Sequence, residues 1–527
     1  QTGWRCTLTG ETEWLTTNKD HLTIPAGKRK SRTDKQFKQE ECVETLWTKV
    51  ADEKPAWAKK GEHLGALSSI KRLWPTLFAE EVSRALGHED IGRFVVSTHT
   101  MALAHQLDQW LEHGAHTDAG LVAELQKYRC ESVALPRRLM QRHSKNKQAL
   151  NDAKRLPALL DAASAADISD GEAAKIRSLV RKTLAQRGDK SENIKLETYY
   201  AMLLMDGDHM GRILSGDERS AISYLDSFHP QVQQGFKQHA SNHGSIAAYG
   251  SQKRAMSPNR HLAISGALND FALNAVRHVI EQEHLGRLIY AGGDDVLAML
   301  PVADLLPAMQ RLRYAYSGHD PEHAGGTYEG LTLHNGFAAL SSGAGNTLKL
   351  KTLMRMMGKS ATASCGAVIA HHQAPLTAVR RELEAAEKRA KNEGGRDALS
   401  ITVIKRAGGA LRFTAKWGEP VALLNDLGTF LADDGVSRRA VYHTLEWLKE
   451  KDLPTPTGDG AMLQSLLTYQ LGRQADKPAR QRHDVERLAK RLTEQALAQP
   501  EERIQWLRNF LAVAEFLARE TRTGGDA

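Results

Sequence analysis

The sequence predicts an α+β fold, a ferredoxin-like βαββαβ core flanked by largely helical regions. Three observations carry the prediction. Apolar runs of strand length recur through the middle of the chain, in "TYYAMLLM" (198–205), "LIYAGGDDVLAMLP" (288–301), "TASCGAVIA" (362–370) and "ALSITVI" (398–404). Segments with apolar residues at helical spacing alternate with them. Before about residue 190 and after about residue 421 the patterning is helical alone.

In chain order, the first strand 198–205 runs into "DGDHMG", and a polar insertion leads to "HLAISGALNDFALNAVRHVIEQEH". There Ile264, Leu268, Phe271, Ala275 and Val279 form one helical stripe. Residues 288–301 read as a strand, a Gly-Gly turn and a second strand, a buried hairpin. "VADLLPAMQRLRYAY" is a helix that Pro307 is expected to kink or divide. Residues 317–359 read as a long polar, glycine-rich insertion. The strand 362–370, a helix with Pro375 near its start and the strand 398–404 complete the set. Upstream, Leu64, Leu67, Ile70, Leu73 and Leu77 mark a helix, and 143–193 suits an exposed helical pair. The expected division is 1–190, a mostly helical accessory region; 191–415, the α+β domain; and 416–527, a helical domain.

The chain of 527 residues has 41% hydrophobic and 25% charged residues, as an ordinary globular protein does. No apolar run approaches the roughly 20 residues of a membrane span, so a membrane is not an expected partner. Four scattered cysteines, Cys6, Cys42, Cys130 and Cys365, make no disulfide framework, and a cytoplasmic location is expected. A net charge of +8 favours an anionic partner such as nucleic acid.

The chemistry concentrates in two places. Asp206 and Asp208 follow the first strand, and Asp294 and Asp295 occupy the hairpin tip. In a ferredoxin-like sheet the first strand adjoins the central hairpin, so these carboxylates are expected to meet. Adjacent carboxylates repel unless a cation lies between them. Short Asp ligands suit Mg²⁺ or Mn²⁺, and two such ions about 4 Å apart activate a hydroxyl and hold an α-phosphate. Gly292 and Gly293, with Gly207 and Gly211 opposite, leave a nucleotide room to approach the backbone. Gly-Gly-Asp-Asp and Asp-Gly-Asp are also ordinary turn chemistry. Their occurrence together, each at a strand end in the right order, is what distinguishes a site from two turns.

"MDGDHMG", "YAGGDDVLAMLP" and "SCGAVIAHHQAPLTAVRRELEAAEKRAKNEGGRDAL" resemble the palm domain of the large subunit of type III CRISPR effector complexes, Cmr type. Nucleotidyl cyclases and diguanylate cyclases share that fold. The resemblance covers about 195–410 and continues more weakly upstream. It implies a palm that converts ATP to cyclic oligoadenylates when the complex holds target RNA. The implied partners are other protein subunits, guide RNA and target RNA, with single-stranded DNA as a further one. Carried over, Asp206, Asp294 and Asp295 are catalytic and ligate two Mg²⁺ or Mn²⁺ ions, with the Gly207 carbonyl beside them. Gly292, Gly293, Lys391, Arg396 and Ser265 meet the nucleotide, Lys391 and Arg396 at its phosphates and Ser265 at its base. A solvated helix-end lysine is the plain alternative for Lys391.

The chain departs from the family pattern in three respects. Gly-Gly-Asp-Asp-Val replaces the diguanylate cyclase motif, which argues against guanylate dimers. His319-Asp320 and His483-Asp484 lack the companion histidines of an HD nuclease, which is expected upstream of Gln1 or not at all. Cys6 and Cys42 have Thr9 and Thr45 where thiolate partners would stand, short of a Cys₄ zinc site. His21 and His63 are the remaining candidate zinc donors, and zinc is doubtful. His371 and His372 follow a strand and read equally as lining of the cleft or as capping or surface groups, and they are given no chemistry. The rival functions are a non-catalytic scaffold subunit of the same complex and a stand-alone nucleotide cyclase.

Overall fold

The structure, a computed structural model, describes residues 5–15, 47, 49–54, 57–58, 61–87, 96–115, 117, 119–130, 132–164, 168–185, 194–217, 221–323, 326–342, 349–448, 460–499 and 503–521. The chain forms two compact units, 1–95 and 96–527. The expected boundaries at 190/191 and 415/416 fall inside the second, and there we keep them as proposed subdivisions.

In the first unit, Trp47, Ala58 and Leu64 make a small core with Trp14 and Val50 packed on it. The helix Ala66–Leu86 ends on Gly87 at φ 65°, a left-handed position where glycine costs least. Its apolar stripe is not the buried face that the spacing suggested: Leu67, Ile70 and Leu77 are 53%, 59% and 50% exposed.

The second unit is built on a six-stranded sheet. Its strands are β1 (Tyr199–Gly207), β2 (Arg287–Gly292), β3 (Asp295–Pro301), β8 (Ala363–His371), β9 (Ala398–Ile404) and β10 (Ala410–Lys416). They lie in the order β10-β9-β8-β1-β3-β2. Within β8-β1-β3-β2 each strand is antiparallel to its neighbours, the expected ferredoxin-like core. The helix Leu376–Asn392 returns the chain from β8 to the parallel β9, and β10 extends the sheet by one strand that the sequence pattern did not reveal. β8 is buried along its whole length, and β1 carries the buried Tyr200, Ala201, Met202, Leu203 and Met205. β2 is an edge strand with Ile289 and Tyr290 about half exposed, so the hairpin is buried on one side only.

The stretch 317–359 is not an unstructured insertion. It folds into a second sheet of β4 (Thr327–Tyr328), β5 (Leu331–His334), β6 (Phe337–Ser342) and β7 (Lys349–Arg355). Leu331, Leu333, Ala338 and Met354 alternate into the core, a period-2 signal too short and too broken by glycine to stand out. Pro307 does not kink its helix. Leu305–Ser317 begins just before it, and in a first turn the missing N–H leaves no bond unmade. The stretch 143–193 is likewise more than an exposed pair: its described residues form the helices Lys147–Ala153, Leu156–Ala162 and Asp170–Leu184, in which Leu150, Leu156, Leu159, Ile176 and Val180 are buried. The Ala- and Lys-rich composition concealed that each of these short helices buries its few large residues. After β10 the chain is helical, and Trp506 and Phe510 of the helix Arg503–Thr521 pack on Phe413. Among the described residues, no helix is long and apolar enough to cross a membrane.

Arg311, on the helix Leu305–Ser317, is buried between Glu283 and Asp320. Its guanidinium makes two 2.8 Å bonds to Glu283, and Asp320 also accepts from the His323 ring at 2.8 Å. Asp320 of the first His-Asp pair is thereby part of a structural ion network. In the second pair, His483 lies 3.0 Å from Asp433 and Asp484 caps the helix Val485–Leu497.

Candidate active site

The candidate site forms where β1 ends beside the β2–β3 turn. Met205 pairs with Val296 on one side, and Asp206 pairs with Ser364 of β8 on the other. Gly292 and Asp295 close the hairpin, and Gly293 between them has φ +71°, which an L side chain adopts only under strain. At Gly292 the reason for glycine is different. A Cβ there would lie 2.1 Å from the Tyr290 hydroxyl, which folds back over the turn.

Asp294 and the end of β1 are in direct contact. A Cβ on Gly207 would meet Asp294 Oδ2 at 2.8 Å and the Tyr316 hydroxyl at 2.4 Å. The absent side chain at Gly207 is therefore what lets Asp294 reach β1. Burial raises the Asp294 carboxyl above its ordinary range, the Asp295 charge adds to this, and the amides of Asp294 and Gly207 partly offset it. Burial also raises Asp295, although it is the more exposed of the two.

Lys391 enters from the helix Leu376–Asn392. Its ammonium contacts Asp206 Oδ2 and lies 2.5 Å from Glu387 Oε1. The helix can reach so far in because it rides directly on β8: a Cβ on Gly366 would be 2.3 Å from the Glu387 backbone nitrogen. Burial raises the Glu387 carboxyl, and the nearby Asp295 charge raises it further. Burial lowers the Lys391 ammonium, with Arg396 contributing. The structure therefore places Asp206, Asp294, Asp295, Gly207 and Lys391 at one end of the sheet and adds Glu387 and Tyr316; among the described residues, the oxygens of the three aspartates do not all lie within 4.8 Å of one another.

Sequence reasoning missed both additions. Glu387 precedes Lys391 by four residues, the spacing that puts two side chains on one helix face, and that was a usable signal. Tyr316 is a buried aromatic at a helix end, and nothing in its sequence context sets it apart.

Asp208 is different from its neighbours. It is 2% exposed and accepts from the Thr362 hydroxyl at 2.8 Å, the Ser364 hydroxyl at 2.7 Å and the Asp397 amide at 2.8 Å. The Arg396 guanidinium lies 3.6 Å from Oδ1, the oxygen that also accepts from Ser364. Gly395, Arg396 and Asp397 all have positive φ, and the Arg313 side chain pins Asp397 at 2.7 Å. Asp208 thus anchors a strained loop beneath the site, and its oxygens are already occupied. Arg396 is engaged with Asp208, so reaching a phosphate requires it to turn away.

Ser265 is exposed on the helix Pro258–Asp270, which packs against β7. The helix then passes through two π-helical segments, Phe271–Ala275 and Val279–Glu283. His371 and His372 do not line the cleft. His371 pairs with Tyr199 while Asp206 pairs with Ser364, which puts the histidines at the other end of the strand, roughly 25 Å away. There His372 stacks on His99 at 3.8 Å. Cys6 is buried with its sulfur 3.3 Å from the Ser68 hydroxyl. Its burial would raise the thiol, but Ser68 and the Gly65, Leu8 and Thr9 backbones outweigh it and bring it down to about 6. The His63 ring lies tilted against Trp14, with centroids 4.2 Å apart. Cys42, Thr45 and His21 lie outside the described residues.

A groove of about 830 Å³ in the C-terminal helices is lined by Tyr469, Arg473, Arg482 and His483. Arg482 and His483 are both tied to Asp433 there. It holds none of the clustered aspartates, so donor chemistry and not cavity size marks the candidate site. The carboxylate oxygens of Asp206, Asp294 and Asp295 are hard donors, and a cationic ammonium already stands at Asp206. This donor set fits a Mg²⁺- or Mn²⁺-type ion.

Residues 199–400 match the family model of the Cas10/Cmr2 second palm domain. The chain is 30% identical over 321 residues to the CRISPR system Cmr subunit Cmr2 of Pyrococcus furiosus, a match covering 60% of this chain and 31% of that protein. It is 35% identical over 121 residues to the CRISPR system CMR subunit Cmr2 of Saccharolobus solfataricus, covering 23% of this chain and 10% of that one. The chain thus spans about a third or less of the length of these relatives. In fold it is similar to a chain of the type III-B Cmr-beta complex solved by cryo-EM bound to cognate target RNA. That likeness has a TM-score of 0.53 at 16% identity and covers 81% of this chain and 49% of the other.

Proposed function

We propose that this chain, which carries a palm domain of the Cas10/Cmr2 family at residues 199–400, is the large subunit of a type III-B CRISPR RNA-guided effector complex. In that complex it makes cyclic oligoadenylates from ATP in response to target RNA. Its partners are the other protein subunits, the guide RNA and the target RNA, and the net charge of +8 suits the two RNAs. The observation that carries the catalytic reading is the contact of Asp294 with Gly207, which sets the hairpin carboxylates beside Asp206 at one sheet end.

Asp206, Asp294 and Asp295 would hold the divalent ions. When bound, these supply positive charge that makes a ribose hydroxyl more acidic and neutralises the reacting phosphate. The chain's own residues do the rest by positioning. Gly293 leaves the backbone bare where the triphosphate approaches, and at Gly292 the Tyr290 side chain must swing aside. Lys391, released from Asp206, and Arg396, turned from Asp208, meet its phosphates. The 3′-oxygen of one ATP attacks the α-phosphorus of another, the bond to pyrophosphate breaks, and the hydroxyl proton passes to solvent. The same attack within one linear product closes the ring.

The test is the double variant Asp294→Ala, Asp295→Ala in an RNA-loaded complex given labelled ATP. Loss of cyclic oligoadenylate is expected, and undiminished output would refute the assignment.

A further inference from the structure

Lys391 stands where a cation belongs. Its ammonium contacts Asp206 and lies 2.5 Å from Glu387, and the Asp206 and Lys391 side chains are only 26% and 20% exposed. A half-buried carboxylate without a counter-charge is costly, so the lysine makes the metal-free site tolerable. The same contact makes it a rival of a metal at Asp206, because an ammonium and a divalent ion held on one small carboxylate repel each other. Glu387 gives the lysine a second anchor, one helical turn back and outside the aspartate triad.

We propose that Lys391 is a built-in counter-ion which exchanges with a divalent cation at Asp206, while Glu387 retains the lysine at the site and aims it at the nucleotide. This rests on the metal-site reading above and adds a mechanism to it. Without metal, Lys391 bridges Asp206 and Glu387. Metal entry breaks the contact with Asp206 only. The lysine then swings on Glu387 toward the phosphates that arrive with the metal. Metal alone must displace the ammonium with nothing in return, whereas metal with ATP offers the displaced charge a new partner. The site is thereby biased against metal alone and toward metal and nucleotide together. Glu387 is a positioning residue in this scheme, acting through Lys391.

The experiment uses the full chain and Mn²⁺ followed by paramagnetic resonance and calorimetry, so that binding is read without turnover. Lys391→Met should tighten Mn²⁺ binding in the absence of nucleotide by about fivefold, the upper range for a partly exposed ion pair. The same variant should weaken ATP binding in the presence of Mn²⁺. The control for general charge is Lys388→Met, an exposed lysine on the same helix. Equal tightening by both variants would overturn the exchange. Glu387→Gln should also weaken Mn²⁺-dependent ATP binding, and Lys391→Met together with Glu387→Gln should be no weaker than Lys391→Met alone. Fully additive losses would overturn the anchoring role. Asp206→Asn separates the two levels. If it leaves Mn²⁺ binding intact, the metal reading and the exchange both fail. If it abolishes binding while Lys391→Met behaves as Lys388→Met does, the exchange alone fails.

Discussion

His105 Nε2 lies 3.0 Å from Asp304 Oδ1, joining the helix Ala104–Glu112 to the turn after β3. Burial opposes the charge on this imidazole, but the hydrogen bond and charge of Asp304 prevail and raise it from 6.5 to about 9. A histidine raised in the folded state contributes stability that is complete below its unfolded value and is lost as pH rises through the folded one. Nearby, burial raises Glu197 from 4.5 to about 7, and a carboxyl raised on folding also loses stability as pH rises. Both slopes have the same sign. The melting temperature should fall from about pH 5 to pH 9, with Glu197→Gln flattening the lower part of the profile and His105→Gln the upper part. Calorimetric scans across that range check it, and an unchanged profile in both variants would be contrary to the assignment.

Gly366→Ala should be among the more damaging small substitutions in the sheet. Its new methyl would sit 2.3 Å from the Glu387 nitrogen and 2.7 Å from its Cα, backbone atoms that yield only if the helix moves. The expected loss is about 1–3 kcal/mol, as for other overpacked cores. Urea unfolding measures it. Displacement of the helix also moves Lys391, so ATP affinity should fall in protein that remains folded.

Arg311→Met leaves Glu283 and Asp320 buried without their cation. Breaking one side of such a network costs about 3–5 kcal/mol. Denaturant unfolding should show this loss, and acidification should reduce the deficit as the stranded carboxylates take up protons.

Asp294→Asn should do the opposite. Burial and the Asp295 charge make the ionised Asp294 unfavourable in the folded chain. Replacing it with a neutral amide should raise the melting temperature near pH 7 in the absence of divalent ions, while Mn²⁺ binding falls. The gain should disappear at acidic pH, where Asp294 itself is protonated. A stability cost at a binding site is the usual trade between stability and function.

The sheet core was legible because β1, β3 and β8 bury long apolar runs, and the hairpin because Gly-Gly marks its turn. The pairing of Asp206 with the hairpin followed from the order of the elements alone. The second sheet was not legible, because its strands are short and face the core only at alternate residues. β10 was hidden for a similar reason: of "ALRFTAK", only Phe413 and Ala415 are buried. In the site, residue type and spacing pointed to Asp294 and Asp295, and Lys391 came only from the family resemblance; type and spacing alone left it a solvated helix-end lysine. They could not separate Asp206 from Asp208, since both follow the same strand and only the contacts with Thr362, Ser364 and Asp397 distinguish them.

That distinction bears on how a mutational screen would be read. Asp208→Ala removes the acceptor that three donors share and frees the loop 395–397 beneath the site. Scored by product formation alone, it would look like the loss of a metal ligand. Scored by Mn²⁺ affinity, it should resemble the wild type more closely than Asp206→Asn does. Variants of two aspartates separated by a single glycine, with the same activity phenotype, would then prove to be inactive for unrelated reasons, one through lost coordination and the other through a collapsed foundation.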